Sequence, residues 1–465
     1  MIKFGTGGWR AIIGDEFIKS NITQLAQAIC EDMKDNSDGI VIGYDRRFLS
    51  DTAARWAAEV FAANDIKTYF INKIAPTPEI MYCVKMKGTK YGMAITASHN
   101  PAEYNGIKVF TLGGKDADVC VTQVFEDKIE KGVDVKSIPF DDGVKTGKIL
   151  LIDPSNEYMD SIISMINMDA IRNAHFKVLL DPMYGVSKTS LQTILMTARC
   201  EVDIINDRHD TLFGGRLPSP SAHTLSKLRD MVMENGYDIG IGTDGDADRI
   251  GIIDNRGVFI HPNEIMSVLY YYLLKYKNWR GDVVRNIATT HLLDKIAADY
   301  GQKCHEVPVG FKHISSKMEE VDALIGGESS GGLTIRGHIR GKDGIFAASL
   351  LVEMICATGK QISELLDEIH EKYGASAMSE YDTKFSNEKK QELMDILFVQ
   401  KKLPDFGEEI EKVSYADGCK VYFKNGGWII ARFSGTEPLI RVFCEMDTIE
   451  NAKKITNIWL KELGL

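Results

Sequence analysis

The sequence comprises 465 residues with a mass of 51.9 kDa, which is too long for one hydrophobic core and predicts three or four domains. Its hydrophobic content of 44% and its charged content of 26% are those of an ordinary globular protein. The formal net charge of -11 argues against a nucleic-acid surface, although a local basic pocket could still bind an anionic small molecule.

Membrane and disulfide classes are also disfavoured. The first residues contain no apolar run of signal-peptide length, and the most apolar later stretches, near 266–274 and 345–357, are too short to span a membrane. The eight cysteines include no Cys-x-x-Cys pair, so neither a zinc site nor a disulfide framework is expected. We therefore expect a cytoplasmic protein with reduced thiols and with no membrane or nucleic-acid partner.

Short apolar strands alternate with amphipathic helices over the first three quarters of the chain. In the first segment, strands are predicted at 40–44, 67–71 and 91–95, and helices at 51–64 and 79–87. In the second and third segments, strands are predicted at 176–180, 202–205, 238–241, 283–289, 304–307 and 323–325, and helices at 187–197, 224–235, 292–300 and 312–320. This alternation predicts parallel sheets with helices on their faces. Residues 113–147 are rich in turns and charges and are predicted to close the first domain before a linker near Asp153 and Pro154.

The last segment has a different pattern. Strands at 421–423, 428–433 and 440–443 are predicted to be antiparallel, and a final helix is predicted at 450–463. Three earlier strands end in comparable small-residue loops, at 95–98, 241–244 and 325–328. Three similar domains that each contribute a chemically different loop would form one composite site.

A serine follows the third strand of the first segment. Met93 to Ile95 predict a buried strand, and Pro101 forces the chain to turn soon afterwards. The turn would present Ser98 and His99 at the end of a strand, where open α/β sheets bind ligands. Ser98 is therefore either a nucleophile or a hydrogen-bonding loop residue.

Three carboxylates at alternate positions form the strongest single motif. Asp244, Asp246 and Asp248 are separated by small residues and can converge on one divalent cation. An EF-hand is excluded because Arg249 and Asn255 occupy its sixth and twelfth positions. A solvated acidic turn is the remaining alternative. Three carboxylates leave room for a phosphoryl ligand at the metal, and Arg249 would suit an anionic substrate.

Two glycine-rich segments and an arginine-rich turn are less specific. Segments 326–332 and 337–343 both lack the ending of a phosphate-binding P-loop, and no helix follows Ser329 as a hydrolase nucleophile elbow requires. Glu328 and Ser330 are better interpreted as hydrogen-bonding groups for sugar hydroxyls. The turn at 432–438 and Arg441 offer guanidinium groups, hydroxyls and a glycine N–H that can surround a phosphate.

Together these motifs resemble those of the α-D-phosphohexomutase family, which comprises phosphoglucomutases, phosphomannomutases and their relatives. The resemblance extends from Phe4-Gly-Thr-Gly-Gly-Trp-Arg10 to Arg441, with four signature loops in family order. It implies an α/β fold of three similar mixed-sheet domains and a C-terminal α+β phosphate-binding domain around a central cleft. The expected domain boundaries are 1–150, 151–254, 255–370 and 371–465.

The resemblance also implies roles for residues at matching positions. Ser98 would carry the phosphoryl group. The Mg²⁺ ligands would be Ser98, Asp244, Asp246 and Asp248. The residues expected around the transferring phosphoryl group are Thr6, Arg10, His99 and Lys108. The residues expected to bind the rest of the substrate are Arg249, Glu328, Ser330, His338, Lys342, Arg432, Ser434, Gly435, Thr436 and Arg441. Glucose 1,6-bisphosphate would prime the enzyme, and His99 and Lys108 are both candidates for the base.

The implied activity is that of an isomerase that interconverts hexose 1-phosphates and 6-phosphates, with glucose as the expected sugar. Phosphomannomutase, phosphoglucosamine mutase and phosphopentomutase activities stay open, because Val309, Gly332 and the first loop depart from common family patterns. A phosphatase or a non-catalytic phosphosugar-binding protein are further alternatives, although a pure binder would not need an intact serine and three aspartates. A monomer or a homodimer is expected.

Overall fold

The computed structural model describes residues 2–5, 7–33, 39–434 and 439–465. Its N-terminal part is a mixed sheet with strand order β1-β5-β4-β2-β3-β7, and β6 pairs with β5. The strands are β1 (Trp9–Ile12), β2 (Ile40–Tyr44), β3 (Thr68–Ile71), β4 (Tyr91–Ile95), β5 (Tyr104–Thr111), β6 (Lys115–Asp116) and β7 (Ile149–Ile152). The helices are α1 (Lys19–Asp32), α2 (Ser50–Ala63), α3 (Thr77–Lys87), α4 (Val119–Lys131) and α5 (Phe140–Lys145). Ile40 and Ile42 pack in one apolar cluster and Val41 packs in another, because successive strand residues face opposite sides of a sheet.

The predicted strands and helices of this sheet are confirmed within a few residues, but its topology is richer than the prediction. Strand β2 is parallel to β3 and β4, whereas β5 runs antiparallel to β4 and follows the loop that contains Ser98. The segment 113–147, which sequence patterns left unassigned, forms β6, α4 and α5, and β7 then joins the same sheet. Helix α1 has no counterpart among the predicted elements.

Two further sheets follow. The second sheet has the order β12-β11-β10-β8-β9 and the third has the order β14-β13-β15-β16. Their strands are β8 (Lys177–Asp181), β9 (Glu201–Ile204), β10 (Ile239–Thr243), β11 (Ile250–Asp254), β12 (Phe259–Ile260), β13 (Val283–Asn286), β14 (Cys304–Val307), β15 (Ile325–Gly327) and β16 (Leu333–Ile335). Their helices are α6 (Ser155–Ile163), α7 (Met168–Arg172), α8 (Lys188–Thr197), α9 (Ser226–Asn235), α10 (Pro262–Lys275), α11 (Leu292–Asp299), α12 (Phe311–Val321), α13 (Gly344–Thr358) and α14 (Ile362–Tyr373).

The second and third sheets share one apolar core. A single cluster of buried side chains extends from Tyr158 to Ile369 and includes residues of both sheets. Helix α13, which follows the third sheet, packs against α7 and α8 of the second. The expected domain boundary at 254/255 stays a prediction, but the two flanking units are joined by continuous apolar packing.

The C-terminal part is an antiparallel sheet of order β17-β21-β20-β19-β18, as the strand pattern predicts. Its strands are β17 (Ala377–Lys384), β18 (Ile410–Ser414), β19 (Cys419–Phe423), β20 (Trp428–Phe433) and β21 (Leu439–Met446). Its helices are α15 (Asn387–Met394) and α16 (Ile449–Leu463), with a π-helical turn at Asp395–Val399. Four sheets with this chain order agree with the fold class expected from the sequence.

The apolar helices are part of this packing. Among the described residues, no single helix is long and apolar enough to cross a membrane, and one bent pair, α13 and α14, passes that test only when both are taken together. Residues 344–355 of α13 are all buried in the protein core. All eight cysteines are free thiols.

Helix α3 carries a buried carboxylic acid that should make stability depend on pH. Glu79 is buried and accepts a hydrogen bond of 2.6 Å from Ser155 Oγ, and burial raises the pKa of Glu79 to about 7. The folded state therefore keeps a proton that the unfolded chain releases above about pH 4.5, so the free energy of unfolding falls as pH rises toward 7.

Replacing Glu79 with glutamine should remove this pH dependence. At pH 8 we expect the variant to be more stable than the wild type by up to about 3 kcal/mol, and at pH 5 the two should be similar. Thermal unfolding at both pH values measures the difference, and Glu234→Gln, which replaces an exposed acid on α9, is the control. An equal difference at pH 5 and pH 8 would contradict a raised pKa at Glu79.

Candidate active site

The serine loop, residues 96–103, connects β4 to β5. Ser98 is fully buried, has a positive φ of 51°, and its N–H donates to Thr96 Oγ1 at 2.8 Å. Backbone in this region is costly for a residue other than glycine, so the surrounding structure must hold it. The loop is presented at the end of a parallel strand, as the sequence predicts.

Arg47 stabilises the serine loop through hydrogen bonds to its backbone, and sequence analysis did not identify it. Its guanidinium donates to four carbonyl oxygens of the loop and the start of β5, at 2.7 Å to Ser98, 2.5 Å to residue 100, 2.8 Å to residue 101 and 3.0 Å to residue 104. Asp45 lies 3.6 Å from Arg47 Nε and balances its charge. The charged sequence Asp45-Arg46-Arg47 could have indicated such a role, because it directly follows a buried strand and ligand-binding residues are common at strand ends.

The aspartate loop connects β10 to β11 and lies against the serine loop. Asp244, Asp246 and Asp248 are all buried, and each offers an oxygen within 4.8 Å of the others. Gly245 is required for the close approach, because a Cβ there would lie 2.7 Å from the carbonyl oxygen of Ser98. Three buried carboxylates at this spacing need compensating positive charge.

Lys108 supplies part of that charge. Its Nζ lies 2.6 Å from Asp246 Oδ2 and 2.6 Å from Asp248 Oδ2. Burial acts to lower the pKa of Lys108, but the two aspartates outweigh it, so the pKa lies above its usual value and the side chain is a cation. Lys342 Nζ also lies 3.0 Å from Asp248 Oδ2. Burial acts to raise the pKa of Asp248, yet Lys108 and Lys342 hold it well below its usual value.

The remaining aspartate oxygens fit a divalent cation. Within the described parts of the chain, Asp246 Oδ1 and Asp248 Oδ1 are buried without a hydrogen-bond partner. Asp244 differs, because burial and the charges of Asp246 and Asp248 raise its pKa well above its usual value. A hard cation among these oxygens would relieve both the unpaired acceptors and the mutual repulsion.

Ser98 and His99 meet the aspartates at one point. Ser98 Oγ donates to Asp244 Oδ2 at 2.8 Å and lies 3.2 Å from His99 Nδ1. Burial lowers the pKa of His99 well below its ordinary value, and the nearby Arg249 and Arg10 lower it further. His99 is therefore a neutral imidazole that can accept a proton from Ser98 Oγ, whereas Lys108 is already protonated.

The glycine-rich loop of the third sheet lies beside the aspartate loop. The N–H of Ile250 donates to the carbonyl of Gly331 at 3.1 Å. Glu328 is buried, and its Oε1 accepts hydrogen bonds from Asn286 Nδ2 and from the N–H of Gly310, both at 3.1 Å. Ser330 is exposed.

His338 lies apart from these groups. Its Nε2 is 2.6 Å from Asp343 Oδ2, and its ring packs against Phe346. Asp343 caps helix α13 by accepting from the N–H groups of residues 345 and 346. The predicted substrate contact of His338 stays a prediction, and in this structure the ring is buried on the helix cap.

The predicted phosphate segment is described only in part. Arg432 Nε donates to Asp417 Oδ1 at 2.8 Å, and Arg441 Nε lies 3.7 Å from Asp382. The N–H of Ser434 donates to the carbonyl of Leu439. The predicted site residues Thr6, Gly435 and Thr436 lie outside the described residues. The roles of all these residues stay predictions.

The structure brings together nine of the fifteen sequence-predicted site residues that it describes. Eight of them either belong to the aspartate loop, contact one of its aspartates, or contact Ser98. They are Ser98, His99, Lys108, Asp244, Asp246, Asp248, Arg249 and Lys342. Arg10 donates from Nη1 to Asn100 Oδ1 in the serine loop. Thr77 is a contact that sequence analysis missed: its Oγ1 donates to Asp246 Oδ2 at 2.7 Å.

Comparison with known proteins shows which family has this arrangement. Models of the phosphoglucomutase/phosphomannomutase α/β/α domains I, II and III match residues 1–136, 156–257 and 261–373, and the model of the C-terminal domain matches residues 384–458. A phosphoglucomutase/phosphomannomutase from Thermococcus kodakarensis is 29% identical over 99% of this chain and 98% of its own length. A phosphoglucosamine/phosphogalactosamine mutase from Sulfurisphaera tokodaii is 29% identical over 98% of this chain and 97% of its own length.

A solved structure agrees with the sequence relatives. The crystal structure of a Thermus thermophilus protein, provisionally assigned as a phosphomannomutase, superposes with a TM-score of 0.87 at 26% identity. The alignment covers 100% of this chain and 99% of that one. The chain therefore belongs to the phosphoglucomutase/phosphomannomutase family and is an isomerase that acts as an intramolecular phosphotransferase.

Proposed function

We propose that the protein interconverts glucose 1-phosphate and glucose 6-phosphate through a phosphorylated Ser98 and a glucose 1,6-bisphosphate intermediate. The observation that carries the proposal is the position of Ser98 Oγ, 2.8 Å from Asp244 Oδ2 and 3.2 Å from His99 Nδ1. A hydroxyl is a weak nucleophile unless a base or a metal assists it, and Ser98 Oγ lies beside an imidazole and beside carboxylates that could hold a metal ion.

Mg²⁺ is the cation that the donor set fits best. Asp244, Asp246 and Asp248 would hold it together with a phosphoryl oxygen on Ser98, and the two unpaired aspartate oxygens support this assignment. When bound, the ion would offset negative charge on the phosphoryl group during transfer.

Proton transfer is assigned to His99. When the phosphoryl group moves from Ser98 to a sugar hydroxyl, the P–Oγ bond breaks, a new P–O bond forms at the sugar oxygen, and the proton of the sugar hydroxyl ends on Oγ. In the reverse step the proton returns from Oγ to the sugar oxygen, and the neutral imidazole of His99 is in hydrogen-bond reach of Oγ to carry it. Lys108 keeps its charge and holds Asp246 and Asp248 in place.

The rest of the substrate would lie across the third and fourth sheets. Glu328 and Ser330 would bind sugar hydroxyls, with Lys342 at the edge of the aspartate loop. The site for the non-reacting phosphate would be formed by Arg432, Ser434, Gly435, Thr436 and Arg441. After the first transfer, the bisphosphate would reorient and return its other phosphoryl group to Ser98.

Glucosamine phosphates are a second candidate substrate. The relative from Sulfurisphaera tokodaii is as similar to this chain as the phosphoglucomutase/phosphomannomutase from Thermococcus kodakarensis is, and its name specifies amino sugars. The two candidates differ only at the sugar, so they share Ser98 and the aspartates.

A comparison of sugars tests the proposal. The 1-phosphates of glucose, mannose and glucosamine are assayed with Mg²⁺ and a trace of the matching 1,6-bisphosphate, and we expect the highest kcat/KM with glucose 1-phosphate. Removing the metal with EDTA should abolish turnover and adding Mg²⁺ should restore it. A higher kcat/KM with glucosamine 1-phosphate would favour the second candidate, and activity that is unaffected by EDTA would reject the metal assignment.

A further inference from the structure

The carboxylate of Asp417 connects Arg432, of the predicted phosphate site, with the loop that binds Glu328. Asp417 lies in the turn between β18 and β19 and accepts two hydrogen bonds from different parts of the chain. Its Oδ1 accepts from Arg432 Nε on β20 at 2.8 Å, and its Oδ2 accepts from the N–H of Val309 at 2.7 Å. Val309 belongs to the loop that connects β14 of the third sheet to α12. Asp417 therefore links the third-sheet unit to the fourth sheet.

The contact continues to Glu328. The next residue in the loop, Gly310, donates its N–H to Glu328 Oε1 at 3.1 Å. Two successive N–H groups of one loop are thus divided between Asp417 and Glu328. A continuous series of hydrogen bonds runs from the carboxylate predicted to bind sugar hydroxyls to the guanidinium predicted to bind phosphate.

The bond at Nε determines how Arg432 is presented. A guanidinium is a planar fork, so a partner at Nε fixes the plane and directs the two terminal nitrogens elsewhere. Both side chains are mostly shielded from solvent, with exposed fractions of 16% for Arg432 and 19% for Asp417, so the contact is stronger than one on the open surface.

The turn is shaped to reach Arg432. Gly418 has a φ of 93°, and a Cβ at this position would lie 2.7 Å from the carbonyl oxygen of Ala431 and 3.0 Å from Arg432 Cβ. Only glycine lets the turn lie this close to β20. The backbone therefore brings the carboxylate of Asp417 against the arginine.

We infer that Asp417 is a positioning residue that sets Arg432 at a fixed distance from the Glu328 loop and thereby matches the phosphate site to the length of a hexose phosphate. The inference rests on the proposed function, because it takes Arg432 as a ligand of the non-reacting phosphate. Asp417 itself touches no reacting atom. Its loss should weaken substrate binding and leave the chemistry at Ser98 intact.

Kinetics of Asp417→Asn and Asp417→Ala test this role. We expect KM for glucose 1-phosphate to rise about tenfold or more while kcat changes by less than about threefold, as removal of a uniform binding interaction predicts. Asp405→Asn, an exposed turn aspartate of the same sheet unit, is the matched control and should behave like the wild type. The asparagine variant keeps the shape of the side chain, so it reports on the contact even where the alanine variant fails to fold.

A double-mutant cycle with Arg432→Lys separates positioning from a general structural effect. Lysine has no Nε–H and no fork for Asp417 to orient, so adding Asp417→Asn to Arg432→Lys should change KM by less than about twofold. Effects that multiply, or an Asp417→Asn variant with wild-type KM, would overturn the inference.

Calorimetric titration with inorganic phosphate keeps the inference independent of turnover. The dissociation constant for inorganic phosphate should be higher in Asp417→Asn than in the wild type. It should be the same in Arg432→Lys with and without Asp417→Asn. Should the wild type turn over no hexose phosphate, the proposed function fails, and this titration alone decides whether Asp417 positions Arg432. Equal phosphate affinity in Asp417→Asn and the wild type would reject the inference.

Discussion

Replacing Ser98 with alanine should lower the turnover of glucose 1-phosphate by about 10⁴-fold or more, because the group transfer has no other acceptor in its path. Ser98 Oγ is the atom that meets both Asp244 and His99, at 2.8 Å and 3.2 Å. Removing it leaves the aspartates, Lys108 and the substrate loops in place. Substrate should therefore still bind and raise the melting temperature of the variant.

Two measurements distinguish a lost nucleophile from a damaged fold. A coupled assay gives turnover, and the mass of the intact protein after incubation with glucose 1,6-bisphosphate shows whether a phosphoryl group has been taken up. The wild type should gain one group and Ser98→Ala none. Ser164→Ala, which removes an exposed hydroxyl bonded to a helix carbonyl, is the control and should behave like the wild type. Turnover retained by Ser98→Ala would refute a phosphoserine mechanism.

The local part of this site was accessible from sequence. Strand β4 ends at Ile95 and β10 ends at Thr243, each just before the residues that carry the chemistry. Apolar runs that stop at small and polar residues mark such ends, and alternating aspartates mark a convergent ligand set. Local sequence patterns do not predict that Ser98 contacts Asp244. That expectation came from the resemblance to a family.

The residues that hold the site loops in place could not be predicted from the sequence in the same way. Arg47 binds carbonyl oxygens more than 50 residues further along the chain, and backbone carbonyls carry no sequence signature. Asp417 and Thr77 likewise act on partners from other sheets. Such contacts depend on how the units pack together, which periodicity within one element does not reveal.

The shared core of the second and third sheets was missed for a related reason. Helix α13 is buried on nearly every side, so its sequence lacks the 3.6-residue alternation by which an amphipathic helix is recognised. The same holds for α10, in which residues 265–274 are all buried. An apolar run without periodicity indicates burial but does not indicate which partner covers it.

Replacing Lys108 with methionine should have the largest effect on stability among the site residues. Lys108 is 3% exposed and its ammonium bonds two buried carboxylates at 2.6 Å each, so its removal leaves Asp246 without its cation and Asp248 with Lys342. Breaking a buried ion pair from one side costs about 3–5 kcal/mol. We expect the melting temperature to fall strongly in EDTA, and kcat to fall by about 100-fold or more because the aspartates are no longer held in place.

Added Mg²⁺ should rescue the stability of Lys108→Met more than it stabilises the wild type. In the variant, a cation among Asp244, Asp246 and Asp248 would replace the positive charge that Lys108 supplies in the wild type. Binding of Mg²⁺ should therefore raise the free energy of unfolding of the variant more than that of the wild type. Melting temperatures measured across a MgCl₂ series give this difference directly. Lys115→Met is the matched control, because it removes a lysine on the neighbouring strand β6. The partner of Lys115 is Glu319, which lies 3.1 Å away and is 41% exposed. If both lysine variants melted alike and responded alike to Mg²⁺, Lys108 would not be the residue that balances the aspartate loop.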